Sequence, residues 1–281
     1  MVTHERARQW FLPAPPEDQP RVDVDTGVAH IARVYNYWLG GKDNFAADRE
    51  AAELVISAYP TILASVRAQR DFLGRSVEYL VAQAGVRQFL DIGTGLPTVD
   101  NTHQVAQRIA PESRIVYVDN DPLVLAHAHA LLTSTPEGAC DYIEADLRDP
   151  DSILRQAAKT LDFSQPVAIM MLGIVNFVID TAEAQRIVRQ LTGALSTGSY
   201  LTISHPTTEV DAEPMIQAVQ FWNEQGSAPM TLRTREEVLS LFEGMDLVEP
   251  GVVTCSRWRP DPAEVGEITD VTHFGGVARK N

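Results

Sequence analysis

The chain has 281 residues, 44% hydrophobic and 22% charged, with a formal net charge of −15. This is globular composition, and an acidic surface with no run of Lys or Arg argues against nucleic-acid binding. Two cysteines, Cys140 and Cys255, exclude a disulfide framework and lack zinc-site spacing; with no signal-peptide core and no apolar run of the ~18 residues that a membrane span needs, the expectation is a cytoplasmic protein.

Residues 1–26 hold Pro13, Pro15, Pro16 and Pro20 among charges and read as a loosely ordered leader. From 27 to 84 apolar residues recur at helical spacing and predict an N-terminal helical cap. Ile31, Val34, Tyr35 and Trp38 mark the first helix. Leu54, Val55 and Tyr59 mark the second. Val66, Leu73, Val77 and Leu80 mark a third, after Pro60. Gly40-Gly41-Lys42-Asp43-Asn44 separates the first two.

From 85 to 281 the pattern alternates. Strands are expected at 87–92, 114–119, 140–145, 166–172, 199–204 and 246–254, with a last short one at 270–278. Helices are expected at 101–110, 121–134, 151–160, 181–195, 212–225 and 234–243. Such alternation predicts an α/β fold with a doubly wound, mostly parallel sheet. Val167–Leu172 is the continuous apolar run of a strand buried on both faces.

Ligands of open α/β sheets bind beyond the carboxyl ends of the strands. That rule selects Asp91, Gly93, Thr94 and Gly95 from the first strand, and Asp119 and Asn120 from the second. It adds Asp146 and Leu147, then Leu172 and Gly173, then Ser204 and His205 from the next three. Phe89-Leu90-Asp91-Ile92-Gly93-Thr94-Gly95 is the most informative stretch. Its glycines allow a tight turn and close backbone approach. A carboxylate two residues before the first Gly suits a ligand with a cationic end, such as the ammonium of S-adenosylmethionine. A pyrophosphate would prefer bare N–H groups and a helix N-terminus. The dinucleotide pattern G-x-G-x-x-G has Thr98 at its third position here, and Pro97 delays the following helix to near Asn101 or Thr102. A nucleotide cofactor and a turn without any ligand remain the alternatives.

Asp119 follows Asp91 by 28 residues. It can accept both hydroxyls of a ribose, as in NAD enzymes, or it can cap the helix at 121–134. Asp121-Pro122 offers a competing helix start that frees Asp119. Asp146 can accept an adenine amino group or cap the helix at 151. Three acidic residues at three consecutive strand ends are more specific than any one of them.

The run Phe89–Gly95, then Val116-Tyr-Val-Asp-Asn-Asp-Pro122, then Ala145-Asp-Leu-Arg-Asp149 resembles class I S-adenosylmethionine-dependent methyltransferases. The leader Ala32-Arg-Val-Tyr-Asn-Tyr-Trp-Leu-Gly-Gly-Lys-Asp-Asn-Phe-Ala-Ala-Asp48 is more particular. With Gly95-Leu-Pro-Thr98, Asn101, His103 and Gly276-Val-Ala-Arg-Lys280, it resembles a bacterial S-adenosyl methyltransferase family once filed as a domain of unknown function. The resemblance spans roughly residues 28–280. It implies S-adenosylmethionine as cofactor, S-adenosylhomocysteine as product, and methyl transfer to an acceptor expected to be a small molecule. By the same resemblance Asp91, Gly93, Thr94 and Gly95 hold the methionine end. Asp119 binds ribose, Asn120 lies beside adenine, and Asp146 and Leu147 frame it. Leu172 and Gly173 form the floor, and Tyr35, Asn36, Lys42, Asn44 and Phe45 form a lid. One departure is Asn176, where many relatives carry His.

His205 is the candidate general base, at a strand end facing the site; ordering the Pro206 loop is its alternative role. His103 is expected to be structural, and His127 and His129 to lie within a helix. Thr207–Glu213 is a candidate part of the acceptor pocket. No metal-ligand cluster is present in the sequence. Two rivals from other classes are a nicotinamide-dependent oxidoreductase and a non-catalytic sensor of the donor. Oligomeric state is not set by sequence.

Overall fold

The structure is a computed structural model. It describes residues 25–281 apart from 99, 122, 125–126, 129–132, 227 and 262–267. Nearly all of the expected leader 1–26 lies outside the described residues. So do Pro122, His129 and much of the expected helix 121–134, of which 123–124 and 127–128 are helical.

Three helices come first: α1 (Ile31–Trp38), α2 (Ala46–Ala58) and α3 (Ile62–Ala82). Asp48, fully buried in the first turn of α2, ties α1 to α2. Its carboxylate accepts from the backbone N–H of Phe45 at 2.8 Å and of His30 at 2.9 Å, and from Arg33 Nε at 3.0 Å. A buried ion pair offsets its desolvation only when its remaining lone pairs are also satisfied, and these backbone donors supply that.

The strands are β1 (Gln88–Ile92), β2 (Arg114–Asp119), β3 (Ala139–Glu144), β4 (Ala168–Leu172), β5 (Tyr200–Pro206), β6 (Asp246–Leu247), β7 (Val253–Thr254) and β8 (His273–Arg279). The order is β3-β2-β1-β4-β5-β8-β6, with β7 beside β8. β1 to β5 are mutually parallel, and β8 runs antiparallel to β5, β6 and β7. Further α-helices among the described residues include α4 (Thr102–Ile109), α5 (Pro150–Ala157), α6 (Thr181–Gly193), α7 (Ala212–Gln225) and α8 (Arg235–Ser240).

Side chains alternate across the sheet. Leu90, Ile92, Val116, Ile169 and Met171 face α5 and α6. Phe89, Ile115, Tyr117, Ala168 and Met170 face Phe72, Val77 and Leu80 of α3 and Val105 of α4. Asp91 shares the face of Phe89, so it points toward α3 and α4. This parity fixes which partners the site can have.

Two differences from the sequence-based expectation have clear causes. The strand expected at 246–254 is two short pieces, because Pro250 lacks the N–H a ladder needs. The last strand, expected to be short, is a seven-residue β8 lying between β5 and β6. Gly275 lets it sit close under α3: a Cβ there would lie 2.9 Å from the Phe72 ring. A third apolar cluster joins Val34, Trp38, Val55, Ile62 and Val66 to Trp222 of α7. The start of α3 therefore packs with α1, α2 and α7, and its C-terminal half packs on the sheet.

Candidate active site

The strand order reverses at β1, with β2 on one side and β4 on the other, and crevices form at such switch points. Here the crevice is a cavity of about 790 Å³ at the carboxyl ends of β1, β2 and β4, roofed by α1. That volume lies within the roughly 300–1,000 Å³ range of small-ligand sites.

The turn after β1 spends its N–H groups on β2. Gly93 donates to the Val118 carbonyl at 2.8 Å, and Thr94 donates to the same oxygen at 3.3 Å. Gly95 donates to Asp119 Oδ2 at 2.9 Å. Gly93 and Gly95 hold φ of +78° and +66°, the left-handed region that side chains avoid. A Cβ on Gly93 would lie 2.6 Å from Ile174. The helix α4 begins only at Thr102, capped at Asn101. The turn thus lacks both features of a pyrophosphate cradle, free N–H groups and an adjoining helix N-terminus. It presents carboxylates instead.

Asp91 is buried and accepts from Thr102 Oγ1 at 2.6 Å. Burial pushes its carboxyl up to about 6, against the opposing pull of that hydrogen bond and of Arg70. Asp119 also accepts from the Asp121 N–H at 2.9 Å, and burial raises its carboxyl as well. Asp121 caps its own turn through the Leu123 N–H at 2.9 Å and meets His30 Nδ1 at 3.0 Å. After β3, Asp149 caps α5 through the Ser152 N–H at 3.0 Å, which leaves the half-exposed Asp146 on the cavity wall.

The fold brings Asp91, Gly93, Thr94 and Gly95 together with Asp119 and Asn120 on this wall. Asp146, Leu147, Leu172 and Gly173 complete its strand-end side, and Tyr35 and Asn36 its roof. Lys42, Asn44 and Phe45, expected in the lid, do not line the cavity. Lys42 is exposed. Asn44 braces Asn36 from behind, donating to its Oδ1 at 3.0 Å. Phe45 stacks under the Arg33 guanidinium, 5.3 Å from its centroid.

His205 corrects the expectation of a base facing the site. It follows Leu201 and Ile203 onto the α5–α6 face of the sheet, while Ser204 points the other way, to Gln69. Its ring is fully buried. Nδ1 donates to the Pro206 carbonyl at 2.8 Å, and Nε2 accepts from Arg233 at 2.7 Å. Burial and the Arg233 charge push it down to about 3. His103 pairs its Nδ1 and backbone N–H with the Tyr117 hydroxyl, both at 2.8 Å.

Gln69, Arg70, Thr102 and Tyr117 also line the cavity and were not assigned to the site from the sequence. A signal existed for two of them. Gln69 and Arg70 stand between Val66 and Leu73 at the spacing where the apolar face of α3 should continue. Polar residues there imply polar partners across the interface. Gln69 has them: its Oε1 accepts from the Tyr35 hydroxyl at 2.6 Å and its Nε2 donates to Ser204 Oγ at 2.7 Å.

A family model described as S-adenosyl methyltransferase matches residues 17–281. The chain belongs to this family. Among solved structures, a DUF574-family protein from Streptomyces avermitilis is 46% identical, with a TM-score of 0.87, over 92% of this chain and 99% of that one. A candidate methyltransferase from Thermobifida fusca is 39% identical, with a TM-score of 0.83, over 91% of this chain and 96% of that one. No curated protein matches the chain closely enough to count as a relative. As a member of the S-adenosyl methyltransferase family, the chain is an S-adenosylmethionine-dependent methyltransferase by family and fold. No described helix is long and apolar enough to cross a membrane, and no described group of three or more His, Cys, Asp or Glu is placed to hold a metal.

The wall chemistry fits the donor. A buried carboxylate raised by desolvation, as at Asp91, is stabilised by a ligand ammonium, and the open space at Gly95 leaves the backbone accessible, with no atom within 4 Å of where a Cβ would stand.

Proposed function

We propose that the chain methylates a small molecule, with S-adenosylmethionine held in the 790 Å³ cavity. Asp91 takes the ammonium of the donor's amino-acid end, beside Gly93, Thr94 and Gly95. Asp119 takes the ribose hydroxyls, with Asn120 next to the adenine. Asp146 and Leu147 frame the adenine, and Leu172 and Gly173 form the floor. The cap, built from α1, α2, the start of α3 and α7, closes over the cavity, with Tyr35 and Asn36 as its contacts. When bound, the donor supplies an electrophilic methyl: the carbon–sulfur bond breaks as the acceptor's lone pair forms the new bond, and the electron pair returns to sulfur. The protein aligns the partners and excludes water. The net charge of −15 disfavours a nucleic-acid acceptor, and two cysteines fit a reducing cytoplasm.

The observation that carries this reading is the turn after β1, whose N–H groups are consumed within the protein while its carboxylates face the cavity. It favours a cationic adenosyl ligand over NAD. Calorimetric titration with S-adenosylmethionine, S-adenosylhomocysteine and NAD tests it. The adenosyl ligands should bind and NAD should not, and Asp119→Ala should weaken binding at least tenfold. NAD binding alone would replace the reading with an oxidoreductase.

A further inference from the structure

We infer that a second pocket beside the donor cavity receives the acceptor, and that it selects the hydroxyl-bearing end of a neutral, flat, apolar molecule of the phenol type. The inference rests on the donor assignment above, because the two spaces share walls. Ile31, Tyr35, Gly173 and Phe177 line both.

The second pocket holds about 50 Å³ between the cap and the ends of β5 and β8. Trp38, Val55, Ile62, Met215, Val219 and Trp222 give it an apolar, aromatic lining. No Asp, Glu, Lys or Arg lines it among the described residues. Besides Tyr35, whose hydroxyl is paired with Gln69, the polar side chains Asn176 and His273 line it, each only 4% exposed. Asn176 Oδ1 and His273 Nδ1 have no hydrogen-bond partner in the protein. Buried polar atoms in native structures are nearly always paired, so two orphans in one apolar pocket mark where a ligand's polar group belongs.

The chemistry of that group follows from the walls. Burial pushes the His273 imidazole down to about 4, so at neutral pH the ring is uncharged. Burial also raises the Tyr35 hydroxyl, which stays protonated and donates to Gln69 at 2.6 Å. A charged acceptor would enter without a counter-charge and lose its solvation. A hydroxyl both donates and accepts. It can donate its one proton to Asn176 Oδ1 and accept from His273 in the tautomer that carries the ring proton on Nδ1. The volume admits little more than the polar end, since a water's share of the liquid is about 30 Å³. The apolar body then extends along the wall that the two spaces share, which Tyr35 and Phe177 line. Tyr35 is held there by the chain of hydrogen bonds through Gln69 to Ser204.

The test uses the full chain saturated with S-adenosylhomocysteine. Saturation-transfer NMR and calorimetry are run with phenol, toluene and benzoate, which differ in hydroxyl and charge but share a ring. Phenol should bind at least fivefold more tightly than either of the others. Asn176→Leu should weaken phenol at least fivefold and leave S-adenosylhomocysteine affinity unchanged. Ala218→Leu, which fills the pocket from α7 and keeps both polar groups, should abolish phenol binding with the same unchanged control. No phenol binding, equal binding of the three probes, or phenol binding indifferent to both variants overturns the proposal alone. Failure of wild-type protein to bind S-adenosylhomocysteine overturns the donor assignment, and this proposal with it.

Discussion

Asp91 lies on the face of β1 that points to α3 and α4, and Thr102 is its direct hydrogen-bond donor. Its carboxyl is raised from 3.8 to about 6, chiefly by burial. A raised carboxyl binds a proton more readily folded than unfolded, so from this group alone stability falls as pH climbs from 3.8 to 6. Above that window the ionised group costs the empty protein on the order of 1–3 kcal/mol at roughly 1.4 kcal/mol per unit. Asp91→Asn keeps an acceptor for Thr102 and removes that cost. Urea unfolding at pH 8 should show the variant about 1–3 kcal/mol more stable, while calorimetry shows S-adenosylhomocysteine bound at least tenfold more weakly. A variant that loses both stability and affinity would mean that Asp91 acts as a structural brace. If Asp91 takes the donor ammonium as proposed, wild-type affinity should also decline below pH 6, as this carboxylate is neutralised.

At the scale of elements, the strand ends depend on how closely the helices approach the sheet. Gly275 in β8 faces Phe72 of α3, with 2.9 Å between the ring and where a Cβ would stand. Phe72 is fully buried and cannot swing into solvent. Gly275→Ala therefore overpacks the interface, and overpacking costs about 1–3 kcal/mol. Denaturant melts should report that loss. Because α3 also carries Gln69 and Arg70, the same substitution should weaken donor binding several-fold with no change in the wall residues themselves. An unchanged melt would show that α3 can yield without strain.

For the whole molecule the buried histidines set the acid behaviour. His205 is pushed down to about 3 and His273 to about 4, from 6.5, and His103 is lowered too. A depressed histidine folds neutral and charges on unfolding. Its stabilisation is complete above 6.5 and is lost as pH falls toward the folded value. Between pH 6 and 4.5, His205 and His273 each remove roughly 1.4 kcal/mol per pH unit. Asp91 and Asp119 act with the opposite sign, but two carboxylates oppose three histidines. The melting temperature should fall from pH 7 to pH 5, and His205→Gln should flatten the fall. A melting temperature that is level across this range in wild-type protein would contradict the burial of these rings.

Much was legible in the residues alone, because the relevant signals are local. Alternation of apolar runs and turn residues located β1, β2, α4 and α7 to within a residue or two, and the sequence motifs that resemble the S-adenosyl methyltransferase family agree with the family match. The polar gap at Gln69 and Arg70 is an equally local signal. What only tertiary structure decided is which side chains meet. Tyr35, Gln69 and Ser204 come from three parts of the chain and touch only because α1, α3 and β5 converge on one strand end. His205 left the site for the same kind of reason: the parity of β5, set by the packing of Leu201 and Ile203, turned its ring toward Arg233. The place of β8 between β5 and β6 likewise brings His273 to the pocket of Asn176. Periodicity tells each residue which face of its own element it occupies, but the partner across that face is chosen by the packing of elements distant in sequence.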